Sequence, residues 1–135
     1  MKKEEPVVIF ELDKPNLNGR IYTTECMEKA INKLDGKPVL GTIGMVYDDN
    51  VLTMMSMVSH SISNLRIEDG KVVGNLTILD TPEGRKLTDL IEEDKQEFVY
   101  RSSGIGNIEY QEDGTRMVTD FQILSINAVN PDTAS

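Results

Sequence analysis

Apolar and polar positions along this chain follow two periods, and the elements separate by which period they obey. Met27, Ala30, Ile31 and Leu34 fall at i, i+3, i+4 and i+7, one face of a helix over about 24–34. Thr23 or Thr24 can cap it, Glu25 and Glu28 suit the positive end of its dipole, and Asp35-Gly36 stops it. A second helix is predicted near 82–93. Thr81 is its N-cap, Pro82 its first helical residue, and Leu87, Leu90 and Ile91 its apolar stripe.

The rest reads as strand. Val7-Val8-Ile9-Phe10 and Pro38-Val39-Leu40 are short apolar runs, and Gly41 to Asn50 reads as a loop. From Val51 to Leu65 the pattern is β-like, with Val58, His60 and Ile62 on one face and Ser59, Ser61 and Ser63 on the other. Asp69-Gly70 is a hairpin turn, Val72 to Leu79 the return strand, and Gly74 marks a bulge or a close backbone approach. Glu97–Arg101 and Ile105–Tyr110 read as two further strands, and Asp113-Gly114 turns the chain into a last one from Met117 to about Ala128. The sum is a single α+β domain over residues 1–135, a mostly antiparallel, barrel-like sheet flanked by helices.

Composition sharpens this picture at a few points. Apolar residues make up 39%, with no Trp and only Phe10, Phe98 and Phe121 as phenylalanines, so an aliphatic, methionine-filled core is expected. The formal charge of −9 provides no basic footprint for nucleic acid or an anionic membrane, and points to neutral or cationic partners. Cys26 stands alone, which fits a reducing, intracellular setting and a buried structural thiol. The first residues lack the apolar core of a signal peptide, and no run has the length of a membrane span. Asp48-Asp49-Asn50 reads as a solvated loop more readily than a metal site, and Gly104-Ile105-Gly106 lacks the third glycine of a nucleotide loop. No metal and no cofactor is expected.

The candidate chemistry rests on His60, the only histidine, and on Ser102 or Ser103. A serine hydroxyl becomes a nucleophile when a neighbouring imidazole takes its proton. The backbone at Ser103 and Gly104 could hold an oxyanion, with Gly104 and Gly106 allowing close approach. The bland alternative is a satisfied core histidine and a serine-glycine turn. Arg20 and Arg101 suit structural ion pairs or, alternatively, a substrate carboxylate.

The order of several segments resembles the prohead (capsid maturation) proteases of tailed phages. Asn16-Leu17-Asn18-Gly19-Arg20-Ile21-Tyr22 is similar to their N-terminal Asn-x-Asn-Gly-Arg-x-Tyr segment, and Ser59-His60-x-Ile62 to their histidine strand. Val73 to Arg85 looks like their hairpin-to-helix connection, and Arg101-Ser102-Ser103-Gly104-Ile105-Gly106 like their nucleophile segment, Ser-x-Gly. The resemblance runs from about Asn16 to Pro131. It implies a herpesvirus-protease-like fold, a Ser-His dyad with a third orienting residue, and cleavage of scaffold and major capsid proteins in the head assembling in the host cytoplasm, with self-association left open. His60 then takes the base position and Ser102 the nucleophile position, and Ser103 stands where many members carry Arg.

The chain departs from that pattern near its end. Asn127 occupies the position where members often carry an acid, with Asp120 and Asp132 as substitutes. Gly41-Thr42-Ile43-Gly44-Met45 replaces a pattern like Gly-Glu-Leu-x-His-Pro. An amide can orient an imidazole but cannot stabilise its cation, so slow turnover and a gain on Asn127→Asp are expected. The alternative is a protease-fold protein with impaired chemistry that serves as a structural or decorating capsid component. His60 and Ser102 are expected on neighbouring strands facing one groove, with Asn127 beside His60 on the side away from Ser102.

Overall fold

The computed structural model describes residues 4–16, 19–44 and 55–131. Leu17, Asn18, the Asp48-Asp49-Asn50 cluster, the expected strand start at 51–54, and Asp132 lie outside the described residues. The elements run β1 (Glu4–Glu11), β2 (Arg20–Tyr22), α1 (Thr24–Leu34), β3 (Val39–Thr42), β4 (Val58–Glu68), β5 (Lys71–Ile78), α2 (Pro82–Glu92), β6 (Val99–Tyr110) and β7 (Arg116–Val129).

Both helices form where their periodicity and caps place them. Thr23 accepts the Cys26 N–H, and α1 ends where Asp35 and Gly36 turn left-handed, at φ 52° and 75°. Thr81 does more than cap α2. Its hydroxyl accepts the Gly84 N–H at 2.9 Å and donates to the Val58 carbonyl at 2.8 Å, tying the helix start to β4. The buried side chains Met27 and Ala30 set α1 against β7, and Leu87 sets α2 against β4 and β5.

The strands form two sheets. One has the order β1-β5-β4-β3, all antiparallel; the other has the order β2-β7-β6, with β2 parallel to β7 and β6 antiparallel to it. They join along the end of β3, where Ile43 bridges Ala128 and the Gly44 N–H donates to the Ala128 carbonyl at 2.7 Å. The expected barrel is not closed. Among the described residues β1 pairs only with β5 and β6 only with β7, so a seam stays open between these two edge strands.

Three other expectations change for local reasons. The loop expected from Gly41 begins later, because Gly41 and Thr42 extend β3 beside β7. The pattern expected as strand from Val51 enters β4 only at Val58. The two strands expected around Ser102 are one, β6, which absorbs the serine-glycine segment in irregularities after Ser103 and after Asn107. The core is also less methionine-filled than expected: among the described residues Met27 is the buried methionine. Tyr22, Tyr100 and Phe121 are buried beside Ile9, Ile62, Val72 and Ile126, and Phe121 meets Phe10 and Tyr22 edge-on.

Candidate functional site

The open seam is a cleft of about 1430 Å³. Val7 to Glu11 of β1 form one wall, Phe98 to Gly104 the other, and Tyr22 and Phe121 lie between them. Ser102, Ser103 and Gly104 therefore line the cleft. In a chain of charge −9 this lining is locally cationic, with Lys14, Arg20 and Arg101 against Glu11. The Arg20 Nε is buried with no hydrogen-bond partner among the described residues. Burial pulls the Arg101 guanidinium below its usual range, and the nearby Glu11 charge opposes that shift.

His60 does not line this cleft. It lies on β4, in the other sheet from Ser102, so the two are not on neighbouring strands. The imidazole is fully buried, with both ring nitrogens engaged: Nε2 lies 2.7 Å from the Ile126 carbonyl and Nδ1 2.7 Å from Ser59 Oγ. A carbonyl can only accept, so Nε2 carries the proton and Nδ1 accepts from the Ser59 hydroxyl. Burial lowers the tendency of the ring to take a second proton, with the Ile126 hydrogen bond opposing that shift. The ring also meets Tyr100 edge-on at 5.5 Å, and the phenol pKa is pushed up to about 12, chiefly by burial.

Ser102 and His60 are linked through Ile126 without being bonded to each other among the described residues. Ser102 pairs with Ile126 across β6 and β7, and Ile126 supplies the carbonyl that holds His60. Tyr100, two residues before Ser102 on the same face of β6, is the aromatic side chain against the imidazole. Ser102 Oγ donates to the Ser103 carbonyl at 3.3 Å. No hydrogen bond joins Ser102 to His60 among the described residues.

Asn127 is buried, and two bonds of its amide lead away from His60. Its Oδ1 accepts the Thr42 N–H at 3.1 Å, and its Nδ2 donates to Ser125 Oγ at 3.1 Å. Ser125 Oγ in turn lies 2.5 Å from Ser103 Oγ, directly across from it in the β6–β7 register. Asp120, one of the two substitute acids, is exposed and pairs with Lys33 at 3.1 Å. The glycines after the serines have a packing reason. A Cβ on Gly104 would come 2.3 Å from the Gln122 carbonyl and 2.5 Å from the Phe121 ring, and one on Gly106 would come 2.3 Å from the Asp120 carbonyl.

Sequence reasoning missed Ser59, Ile126, Thr42 and Ser125. Ser59 was visible as the residue before His60, but alternation placed it on the opposite face. Ser125 was visible two residues before Asn127 on one strand face, which is the spacing at which side chains share a side. The Ile126 carbonyl left no sequence signal, because every residue has one. Burial pushes the Cys26 thiol up, as suits a structural cysteine.

No family model matches the chain, and no curated protein matches it in sequence. Its structure is similar to the bacteriophage T4 capsid assembly protease gp21, with a TM-score of 0.81 over 93% of this chain and 80% of that one. The chain has a phage prohead-protease-like fold. Sequence identity over that match is 21%, so what the two share is the fold. Within the prohead-protease-like fold the arrangement offers a wall of hydroxyls on an open cleft, and a buried neutral imidazole behind it. Among the described residues no group of three or more potential metal-ligating side chains assembles, and no helix is long and apolar enough to cross a membrane.

Proposed function

We propose that the chain is a serine endopeptidase of phage head assembly, acting on extended segments of scaffold or major capsid protein in the assembling head. Ser102 is the nucleophile and His60 the base. The reading is carried by the placement of Ser102-Ser103-Gly104 along the cleft wall, with the imidazole packed on Tyr100 of the same strand face. The cleft exceeds the roughly 300–1,000 Å³ of small-molecule sites, which suits a polymer. Both walls are edge strands, and an extended polypeptide can add its backbone hydrogen bonds to such an edge. Lys14, Arg20 and Arg101 favour segments that carry carboxylates.

The described arrangement is a resting one. For His60 to take the Ser102 proton, Nε2 must leave the Ile126 carbonyl and lose its hydrogen. Nδ1 then carries the proton, and Ser59 Oγ, already 2.7 Å away, accepts it. Ser59 thus performs the orienting role that the acid performs in a Ser-His-Asp triad, without a charge to stabilise the imidazolium. Attack by Ser102 on the peptide carbonyl forms the tetrahedral adduct, whose oxyanion meets the Ser103 and Gly104 backbone. The imidazolium returns its proton to the departing amine, and water hydrolyses the acyl-enzyme by the same route.

One observation favours a second reading, a structural or decorating capsid component with impaired chemistry: Nε2 is committed to Ile126 and Ser102 Oγ to its neighbour's carbonyl. Incubation of the purified chain with scaffold and major capsid protein of the same phage, read by mass spectrometry, separates the two. Cleavage lost in Ser102→Ala and reduced on the order of 10²–10⁴ in His60→Ala supports the endopeptidase. Cleavage that survives Ser102→Ala removes the nucleophile. Binding to capsid protein with no cleavage selects the structural role.

A further inference from the structure

Asn127 stands where the resemblance places an acid, and its amide takes part in a hydrogen-bond series that ends at the cleft. The direction of that series follows from what each group can do. The Thr42 N–H donates to Asn127 Oδ1 at 3.1 Å, which fixes the amide with Nδ2 toward Ser125. Nδ2 can only donate, so Ser125 Oγ accepts from it at 3.1 Å. Ser125 Oγ also shares a 2.5 Å hydrogen bond with Ser103 Oγ, in which either hydroxyl can donate; we take the arrangement in which Ser125, already an acceptor from Nδ2, donates to Ser103. In that arrangement Ser103 accepts, and its own proton is available to the cleft, whose wall includes Ser103.

We infer that Ser103 is a substrate-binding residue that donates its hydroxyl proton to a backbone carbonyl of the polypeptide in the cleft, and that Ser125 and Asn127 are positioning residues that set this polarity. The inference rests on the cleft reading above but not on catalysis. No imidazole or carboxylate hydrogen-bonds to Ser103 among the described residues, so the inference makes it a donor and not a second nucleophile. The substitution of an amide for an acid acquires a reason here. A carboxylate at 127 would still accept from Thr42, but its second oxygen would accept from Ser125 instead of donating to it. Ser125 would then accept from Ser103, and Ser103 would face the cleft as an acceptor, opposed to a peptide carbonyl. On this view Asn127→Asp weakens substrate engagement, the reverse of what a triad position predicts.

The test uses the full chain carrying Ser102→Ala, so that no turnover intervenes, and 15-residue peptides tiled across scaffold and major capsid sequences of the same phage. For peptides that bind, Ser103→Ala and Asn127→Asp should each weaken affinity about 3- to 10-fold, the span of one hydrogen bond. Ser103→Thr should restore wild-type affinity, and Ser103→Ala with Asn127→Asp together should cost no more than either alone. Unchanged thermal midpoints show that the loss is not unfolding. Binding that is indifferent to Ser103→Ala, or equal or tighter with Asn127→Asp, overturns the inference while leaving the cleft reading intact. Failure of every tiled peptide to bind overturns both. Ser103-dependent binding alongside cleavage that ignores Ser102→Ala removes the endopeptidase and keeps the inference.

Discussion

At Gly41 the backbone of β3, the carbonyl of Ile126 and the His60 ring come within contact of one Cα hydrogen, and alanine there tests how the two sheets are joined. An added Cβ would sit 1.7 Å from the Ile126 carbonyl oxygen and 2.4 Å from His60 Nε2. Ordinary contact begins near 3.4 Å, so β3 must withdraw from β7 by about 1.7 Å. A withdrawal of that size takes the 2.7 Å bonds from His60 to Ile126 and from Gly44 to Ala128 beyond 4 Å, outside hydrogen-bonding range. It also strains the 3.1 Å bond from Thr42 to Asn127. Three such bonds contribute about 1 kcal/mol each, and a buried imidazole N–H or carbonyl left unpaired adds about 1–3 kcal/mol. The expected cost is about 4–6 kcal/mol, a large share of the roughly 5–15 kcal/mol that holds a domain together. Urea unfolding of wild type and Gly41→Ala measures it, with Leu40→Ala, an exposed neighbour in the same strand, as a control expected below about 1 kcal/mol. A Gly41→Ala cost within about 1 kcal/mol of wild type would refute the account of how β3 and β7 are held.

Ser59→Ala removes the donor to His60 Nδ1 inside a fully buried site and should destabilise by about 1–3 kcal/mol, read as a shift in the urea midpoint. Stability should fall with acidity below pH 6.5, the ordinary pKa of a histidine. The folded ring resists the proton that the unfolded chain accepts from that pH downward, so the contribution present above it is lost until the lowered folded pKa is reached. The slope is at most about 1.4 kcal/mol per pH unit, and His60→Gln should remove it; an equal slope in that variant would show that another group is responsible. Thr81→Val loses both the cap of α2 and its bond to β4, and should cost about 1–2 kcal/mol by thermal or urea unfolding. Leu87→Ala empties a fully buried position under α2 and should cost about 2–5 kcal/mol in the same measurement.

Local physics is written into the sequence, and at those places the reading and the structure agree. The α1 and α2 stripes, the Thr81-Pro82 helix start, the left-handed Asp35-Gly36 stop and the Asp69-Gly70 hairpin each depend on residues a few positions apart. Gly74 also behaved as its context implied: a Cβ there would meet Ile62 at 2.5 Å, so the glycine marks a close approach. The order of short motifs was enough to suggest the prohead-protease-like fold. What joined the sheets was decided elsewhere. Gly41 and Thr42 read as the start of a loop until β4 pairs with them and β7 packs beside them, and the barrel stays open because β1 and β6 do not pair among the described residues. Periodicity said that His60 was inward, and it could not say what the ring would meet. A backbone carbonyl exists at every residue, and only the placement of β3 beside β7, with Gly41 leaving room for the ring, selects Ile126 as the one that holds Nε2. Asn127 lies one residue further along β7, where its side chain turns to the other face, toward Thr42 and Ser125. The alternation of a strand is local, but which neighbour covers each face is a property of the assembled sheets, and here that decides which side chains share the site.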